Sequence, residues 1–236
     1  MFNLLNNQTV SPKPSFTTIE TIKKLAQSTR YIQTKQRLQK QRFVVMDTET
    51  TGFNPENKDE IISIGAVVIE NGQIKEHERF HRFVNPYRQI PEEVTRLTGI
   101  TEDMVCKEKS IFAVLAEVLP FIGNSIIVGH HIGFDLSFIN LKLKKYCRTR
   151  LYNPTCDTMI LGSAFYPEMR AHTLNRLLLK HGLEPVNRHT AIGDARLTAK
   201  LFIVFLQILK EYNIFTYKEL VSFVRQKSYL NQKISF

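Results

Sequence analysis

The chain has 236 residues, 43% hydrophobic and 23% charged, and a formal net charge of +10 at pH 7. These proportions exclude a disordered or fibrous protein and suit one globular domain with a sizeable core plus an appendage. The longest apolar run, LFIVFLQIL at 201–209, is too short to cross a bilayer, so no membrane partner is expected.

The charge is uneven. Residues 1–42 hold eight Lys or Arg against Glu20 alone, about +7 of the total. Such an excess indicates either an anionic partner, nucleic acid foremost, or simply a basic soluble protein. Cys106, Cys147 and Cys156 show no metal-ligand spacing and imply no disulfide framework, which fits a reducing cytoplasm. The start, MFNLLNNQTV, has no charged segment followed by a long apolar one, so no signal peptide is expected.

Residues 1–15, with Pro12 and Pro14, are expected to be irregular. From about Ser15 to Arg42 the pattern is helical and polar, with Ile19, Ile22 and Leu25 as a narrow apolar stripe. This segment is read as a basic helical arm. RFVVMDT is a strand, IISIGAVVI at 61–69 a second, and Asn71-Gly72 a hairpin turn into a third. PEEVTRLT at 91–98 reads as a short helix closed by Gly99, and 110–123 as another helix. SIIVGHH is a short buried strand, followed by the amphipathic helix FDLSFINLKLKKYC. PTCDTMILGSAF reads as a strand end and then a helix, with Asp157 most simply its N-cap. HTLNRLLLKHGLE is a helix ended by Gly182. A long helix runs from about Ile192 to Tyr212, and another over 216–229 precedes a polar tail ending QKISF. Strands that come first as hairpins and later alternate with helices predict a mixed α/β sheet covered by helices. The expected organisation is an arm over 1–41, a main domain over 42–212 and a C-terminal helix and tail over 213–236.

The sequence VVMDTETTGF at 44–53 ends an apolar strand in two acids. Alternation points Asp47 and Glu49 to the same side. Two close carboxylates repel, and burial makes each harder to ionise. A shared divalent cation with hard oxygen ligands removes both problems; a strand that has already ended, with both acids solvated, would also do so. Asp135 follows a buried strand among Phe134, Leu136 and Phe138, and Asp194 begins another apolar helix. Each alone reads as an N-cap or first-turn acid. Together they place one strand end and two helix starts at one crevice, as α/β sheets do. His189, five residues before Asp194, is either a packing residue or a base for an attacking water.

DTETTG at 47–52, GHHIGFD at 129–135 and HTAIGDA at 189–195 resemble the three motifs of the DEDDh family of 3′→5′ exonucleases. The resemblance runs from about Arg42 to Leu209, with the motifs in the family's order. It implies a ribonuclease H-like fold, a five-stranded mixed sheet flanked by helices. It also implies release of nucleoside monophosphates with two divalent cations, Mg²⁺ or Mn²⁺. By resemblance, Asp47 bridges both metals, Glu49 and Asp194 serve the metal that activates water, Asp135 the leaving-group side, and His189 is the general base. Thr50 and Thr51 match the segment that touches the terminal nucleotide. Leu97 and Ile100 are apolar contacts to the terminal base, or a helix C-cap plus core. Phe134 stacks on substrate or simply packs. His131 departs from the family's usual Asn and leaves substrate choice open. The implied partner is nucleic acid with a free 3′ end, single-stranded DNA first, together with a DNA polymerase or another replication protein. An RNA exonuclease of the RNase T type is the alternative enzyme. A non-catalytic nucleic-acid or polymerase-binding module is the alternative of another class.

Overall fold

The computed structural model describes residues 12–29 and 36–234. Its elements are α1 (Phe16–Ser28), β1 (Phe43–Thr50), β2 (Ile61–Glu70), β3 (Gln73–Phe83), α2 (Glu92–Thr98), α3 (Glu102–Val105), α4 (Ile111–Ile122), β4 (Ile126–Gly129) and α5 (Ile132–Cys147). They continue as β5 (Thr155–Asp157), α6 (Thr158–Phe165), α7 (Leu174–Lys180), α8 (Ala191–Glu211) and α9 (Tyr217–Ile234).

The five strands form one mixed sheet in the order β3-β2-β1-β4-β5. β1, β2 and β3 pair antiparallel, whereas β4 lies parallel to β1 and β5 parallel to β4. The β2–β3 turn is Asn71-Gly72, with φ of 53° and 72°. Both angles suit the primed turns that match strand twist. β1 therefore sits in the centre and must be apolar on both faces. Val44 and Met46 join Ile64, Ala66 and Ile127 in a core under α1, α4 and α5. Phe43 and Val45 join Val67, Ile69 and Val128 in a second core under α6, α7 and α8. The period-two alternation of one strand thus feeds both layers.

The arm differs from its expected form. α1 stops at Ser28, residues 30–35 lie outside the described residues, and Leu38–Lys40 is a single 3₁₀ turn. Ser15 caps α1 by accepting from Thr18 N. Ile22 and Ala26 are fully buried in the first core, with Ile19 and Leu25 packed beside them. Leu38 is fully buried in the second core, and its N–H donates to Phe215 O at 2.7 Å. A helix continued from Ser15 to Arg42 would not deliver the segment to both layers of the sheet.

Two boundaries also move. α5 begins at Ile132, because His131 turns the chain at φ 64° and Ile132 is buried. α9 runs to Ile234, past the expected end at 229, so most of the expected tail is helix. Its start is a capping box: Glu219 Oε2 accepts from Phe215 N and Thr216 N, and Thr216 Oγ1 accepts from Glu219 N. Of the expected irregular stretch at 1–15, residues 12–15 carry no regular structure, and 1–11 lie outside the described residues, as do the last two residues of QKISF. Among the described residues, no helix is long and apolar enough to cross a membrane.

Candidate active site

β1 carries its acids at the C-terminal end. Phe43 and Val45 face the α8 layer, so Asp47 and Glu49 continue on that face. Asp194 lies in the first turn of α8, whose N-cap, Thr190, accepts from Gly193 N at 3.2 Å. One carboxylate oxygen from each of Asp47, Glu49 and Asp194 lies within 4.8 Å of the others. The closeness depends on Gly65, which pairs with Asp47 across β1 and β2. A Cβ at Gly65 would stand 2.3 Å from Ala191 C and Ile192 N. Only a residue without a side chain lets the start of α8 lie directly on the sheet.

Asp135 arrives from the opposite layer. It sits in the first turn of α5 and is 4% exposed. Its Oδ1 accepts from Thr48 N at 2.8 Å and from Thr48 Oγ1 at 2.6 Å. Thr48 has the parity opposite to Asp47, so β1 presents acids to one layer and donors to the other. The four acids converge where β1 ends.

Their environment opposes ionisation. Burial pushes the Asp47 carboxyl well up, and the charges of Asp135, Asp194 and Glu49 add to it. Glu49 is raised to about 7 by burial and then by Asp194 and Asp135. Burial also raises Asp135 to about 7, against the hydrogen bonds from Thr48. Asp194 is raised by burial and held back first by Arg188. Such a set of hard oxygen donors, short of positive charge, fits divalent cations. Asp47, Glu49 and Asp194 supply the closest donors.

The loop before α8 supplies the neighbouring groups. His189 has φ 61°, and its N–H donates to Asp194 Oδ2 at 3.3 Å. Arg188 Nη1 donates to Asp194 Oδ1 at 2.8 Å. Thr50 Oγ1 donates to Gly52 O at 2.6 Å, and buried Thr51 accepts from Glu60 N at 3.0 Å. Both hydroxyls therefore brace the loop after β1. Leu97 is 54% exposed at the end of α2, whereas Ile100 is 4% exposed in a satellite core with Ile62, Ile90 and Val105. His131 N donates to Asp157 Oδ1 at 3.0 Å. Asp157 also caps α6 by accepting from Met159 N at 2.9 Å, as expected of it. The His131 ring stacks near Phe134, and Phe134 packs beside Phe138 and Phe53.

Thr48, Gly65, Arg188 and Phe53 were not singled out from sequence. Phe53 is 88% exposed with its ring 6.2 Å from that of Phe134. Phe53 and Arg188 were legible as direct neighbours of two motifs; Gly65 and Thr48 become visible only once strands and helices are paired.

A family model described as Exonuclease (RNase_T) matches residues 44–202. The chain is 40% identical over 167 residues to the DNA polymerase III subunit epsilon of Aquifex aeolicus, covering 71% of this chain and 81% of that protein. It is 41% identical over 172 residues to the DNA polymerase III PolC-type of Thermotoga petrophila, covering 73% of this chain but 12% of that protein. The chain thus spans a small part of the PolC-type relatives. Among solved structures, Exonuclease X in complex with 5′ overhanging duplex DNA shares the fold, with a TM-score of 0.60 and 21% identity over 77% of this chain and 99% of that one. The five-stranded mixed sheet and its flanking helices are those of the ribonuclease H-like exonucleases. By the extent of these matches, the chain belongs to the DEDDh-type 3′→5′ exonuclease family.

Proposed function

We propose that this chain is a divalent-metal-dependent exonuclease that shortens DNA from its 3′ end, releasing nucleoside monophosphates in proofreading or repair. The convergence of Asp47, Glu49, Asp194 and Asp135 at the end of β1 carries this reading. The family is metal-dependent; Mg²⁺ or Mn²⁺ suits four carboxylates with no soft ligand among them. Asp47, Glu49, Asp135 and Asp194 would hold two such ions. When bound, the ions supply positive charge to the phosphodiester and to its departing 3′-oxygen.

The chain's own residues do the rest. Asp135 is fixed by its two bonds from Thr48. His189, on the loop leading into α8, accepts the proton of the attacking water at a ring nitrogen. Leu97, His131 and Phe134 surround the terminal nucleotide, and Thr50 and Thr51 shape the loop beneath it. The burial of Ile100 favours a supporting part under α2 rather than contact with a base. The exonuclease unit proper is 42–212, and the segments on either side complete it, since α1 and Leu38 before it and α9 after it contribute to its two cores.

The substrate is a single-stranded DNA 3′ end, and a DNA polymerase is the partner, a reading supported by the polymerase names of the relatives. A time course on 5′-labelled single-stranded DNA, mismatched duplex DNA and RNA, with Mg²⁺, Mn²⁺ or EDTA, tests it. A metal-dependent ladder shortening from the 3′ end, fastest on DNA and lost in Asp47→Ala, is expected. Faster cleavage of RNA would transfer the assignment to an RNA exonuclease, and no cleavage of any substrate would favour a binding module.

A further inference from the structure

Arg188 is the cation that the acid cluster already possesses. Its Nη1 lies 2.8 Å from Asp194 Oδ1, and Asp194 is the most buried carboxylate among the described ion pairs, at 9% side-chain exposure. The Arg188 side chain is itself only 19% exposed. Its Nε is buried and has no hydrogen-bond partner. Arg188 sits between Asn187 and His189, which both have positive φ, and this doubly turned loop aims its side chain at the acids. Its charge opposes the upward pressure on Asp47 and Glu49 as well as on Asp194.

Both oxygens of Asp194 are engaged by this loop, Oδ1 by the Arg188 guanidinium and Oδ2 by His189 N. A divalent cation approaching Asp194 meets a carboxylate that already accepts one hydrogen bond on each oxygen, and a positive charge already in place. Resting on the reading that these acids hold divalent cations, we propose that Arg188 is a resident counter-cation that competes with the metal for Asp194. It thereby sets the cation concentration at which the site loads. In the metal-free protein the same group relieves repulsion among acids that burial has forced together. An arginine is suited to this, because its planar guanidinium presents several donors to a carboxylate at once.

The sign of the effect separates this role from a supporting one. A guanidinium that merely orients Asp194 for the metal would weaken metal binding when removed. A competitor would strengthen it. The experiment is Mn²⁺ titration of the EDTA-stripped full chain, without substrate, for wild type, Arg188→Gln, Arg188→Lys and Asp47→Asn. The expected result is a Kd for Mn²⁺ lowered on the order of tenfold or more in Arg188→Gln, from the charge removed. Its metal-free melting temperature falls, and Arg188→Lys, which keeps the charge, returns the Kd toward wild type. A Kd unchanged or raised in Arg188→Gln overturns the inference. If wild type and Asp47→Asn take up Mn²⁺ alike, the metal-site reading fails, and this inference with it. Should Arg188→Gln not fold, the assigned Arg188 Nε–H resonance of wild type answers instead. On addition of Mg²⁺ its exchange with solvent must speed up as the guanidinium leaves Asp194, and exchange that is unchanged or slowed, as for a guanidinium that stays on the carboxylate, overturns the proposal.

Discussion

Asp135 and Thr48 are joined twice: the Thr48 amide donates to Asp135 Oδ1 at 2.8 Å and the Thr48 hydroxyl donates to the same oxygen at 2.6 Å. This ties the start of α5 to the C-terminal end of β1 and lowers the Asp135 carboxyl against its burial. Removing the hydroxyl in Thr48→Val leaves a buried acid with one donor fewer, a loss of about 1–3 kcal/mol. In metal-free protein, Asp135 should then titrate at a higher pH than in wild type. NMR titration of the carboxyl checks this, and Thr48→Ser should restore it. An unmoved titration would mean that the amide alone holds Asp135.

His189→Ala should slow nucleotide release by roughly 10²–10⁴-fold, the usual contribution of a general base. Steady-state rates from pH 5 to 9 give the measurement. The dependence of the rate on pH should change with the loss of the base. A variant with wild-type rate and profile would remove His189 from the reaction.

Stability of the metal-free chain should fall as pH rises from about 4 to about 7. Burial raises Glu49 and Asp135 to about 7 from ordinary carboxyl values of 4.5 and 3.8. Between those limits the folded state binds protons that the unfolded chain has released, so unfolding gains with each step up in pH. The contribution is fully present below the unfolded values and lost as pH passes the folded ones. Divalent cations favour the ionised carboxylates and should reverse the trend. Calorimetric melting at pH 5, 6, 7 and 8, in EDTA and in Mn²⁺, reads both slopes. Parallel slopes would show that these acids do not bind the ion.

The amino-terminal arm is part of the core. Ile22 and Ala26 are fully buried against α4 and α5, and Leu38 against the other layer. Ile22→Ala should destabilise by about 2–5 kcal/mol, the range for emptying a buried aliphatic site. Deleting 1–41 should lower the denaturant midpoint further. A midpoint unchanged in either protein would mean that the arm contributes nothing to the fold. The basic residues of the arm are best tested for nucleic-acid contact by exposed substitutions such as Lys24→Gln, which spare this packing. Loss of a phosphate contact should flatten the salt dependence of DNA binding.

The amino-acid order alone determined what short-range rules decide. β1 was legible from FVVM, the β2–β3 hairpin from Asn71-Gly72, the α6 cap from Asp157, and the beginning of α8 near Ile192. Each depends on a side chain and its own backbone within a few residues. The parity of Asp47 and Glu49 follows likewise from the period of a strand. The resemblance of three motifs named the family because their spacing survives along the chain. Tertiary structure alone decided how distant segments meet. Gly65 matters because Ala191 and Ile192 lie over it, 126 and 127 positions along the chain. Thr48 matters because Asp135 is beside it, and Arg188 because its guanidinium turns inward upon Asp194. The arm divides between two layers because Ile22 and Leu38 are drawn to opposite faces of one sheet. Those outcomes depend on burial and on charge across space, and neither is written in the local periodicity of a single segment.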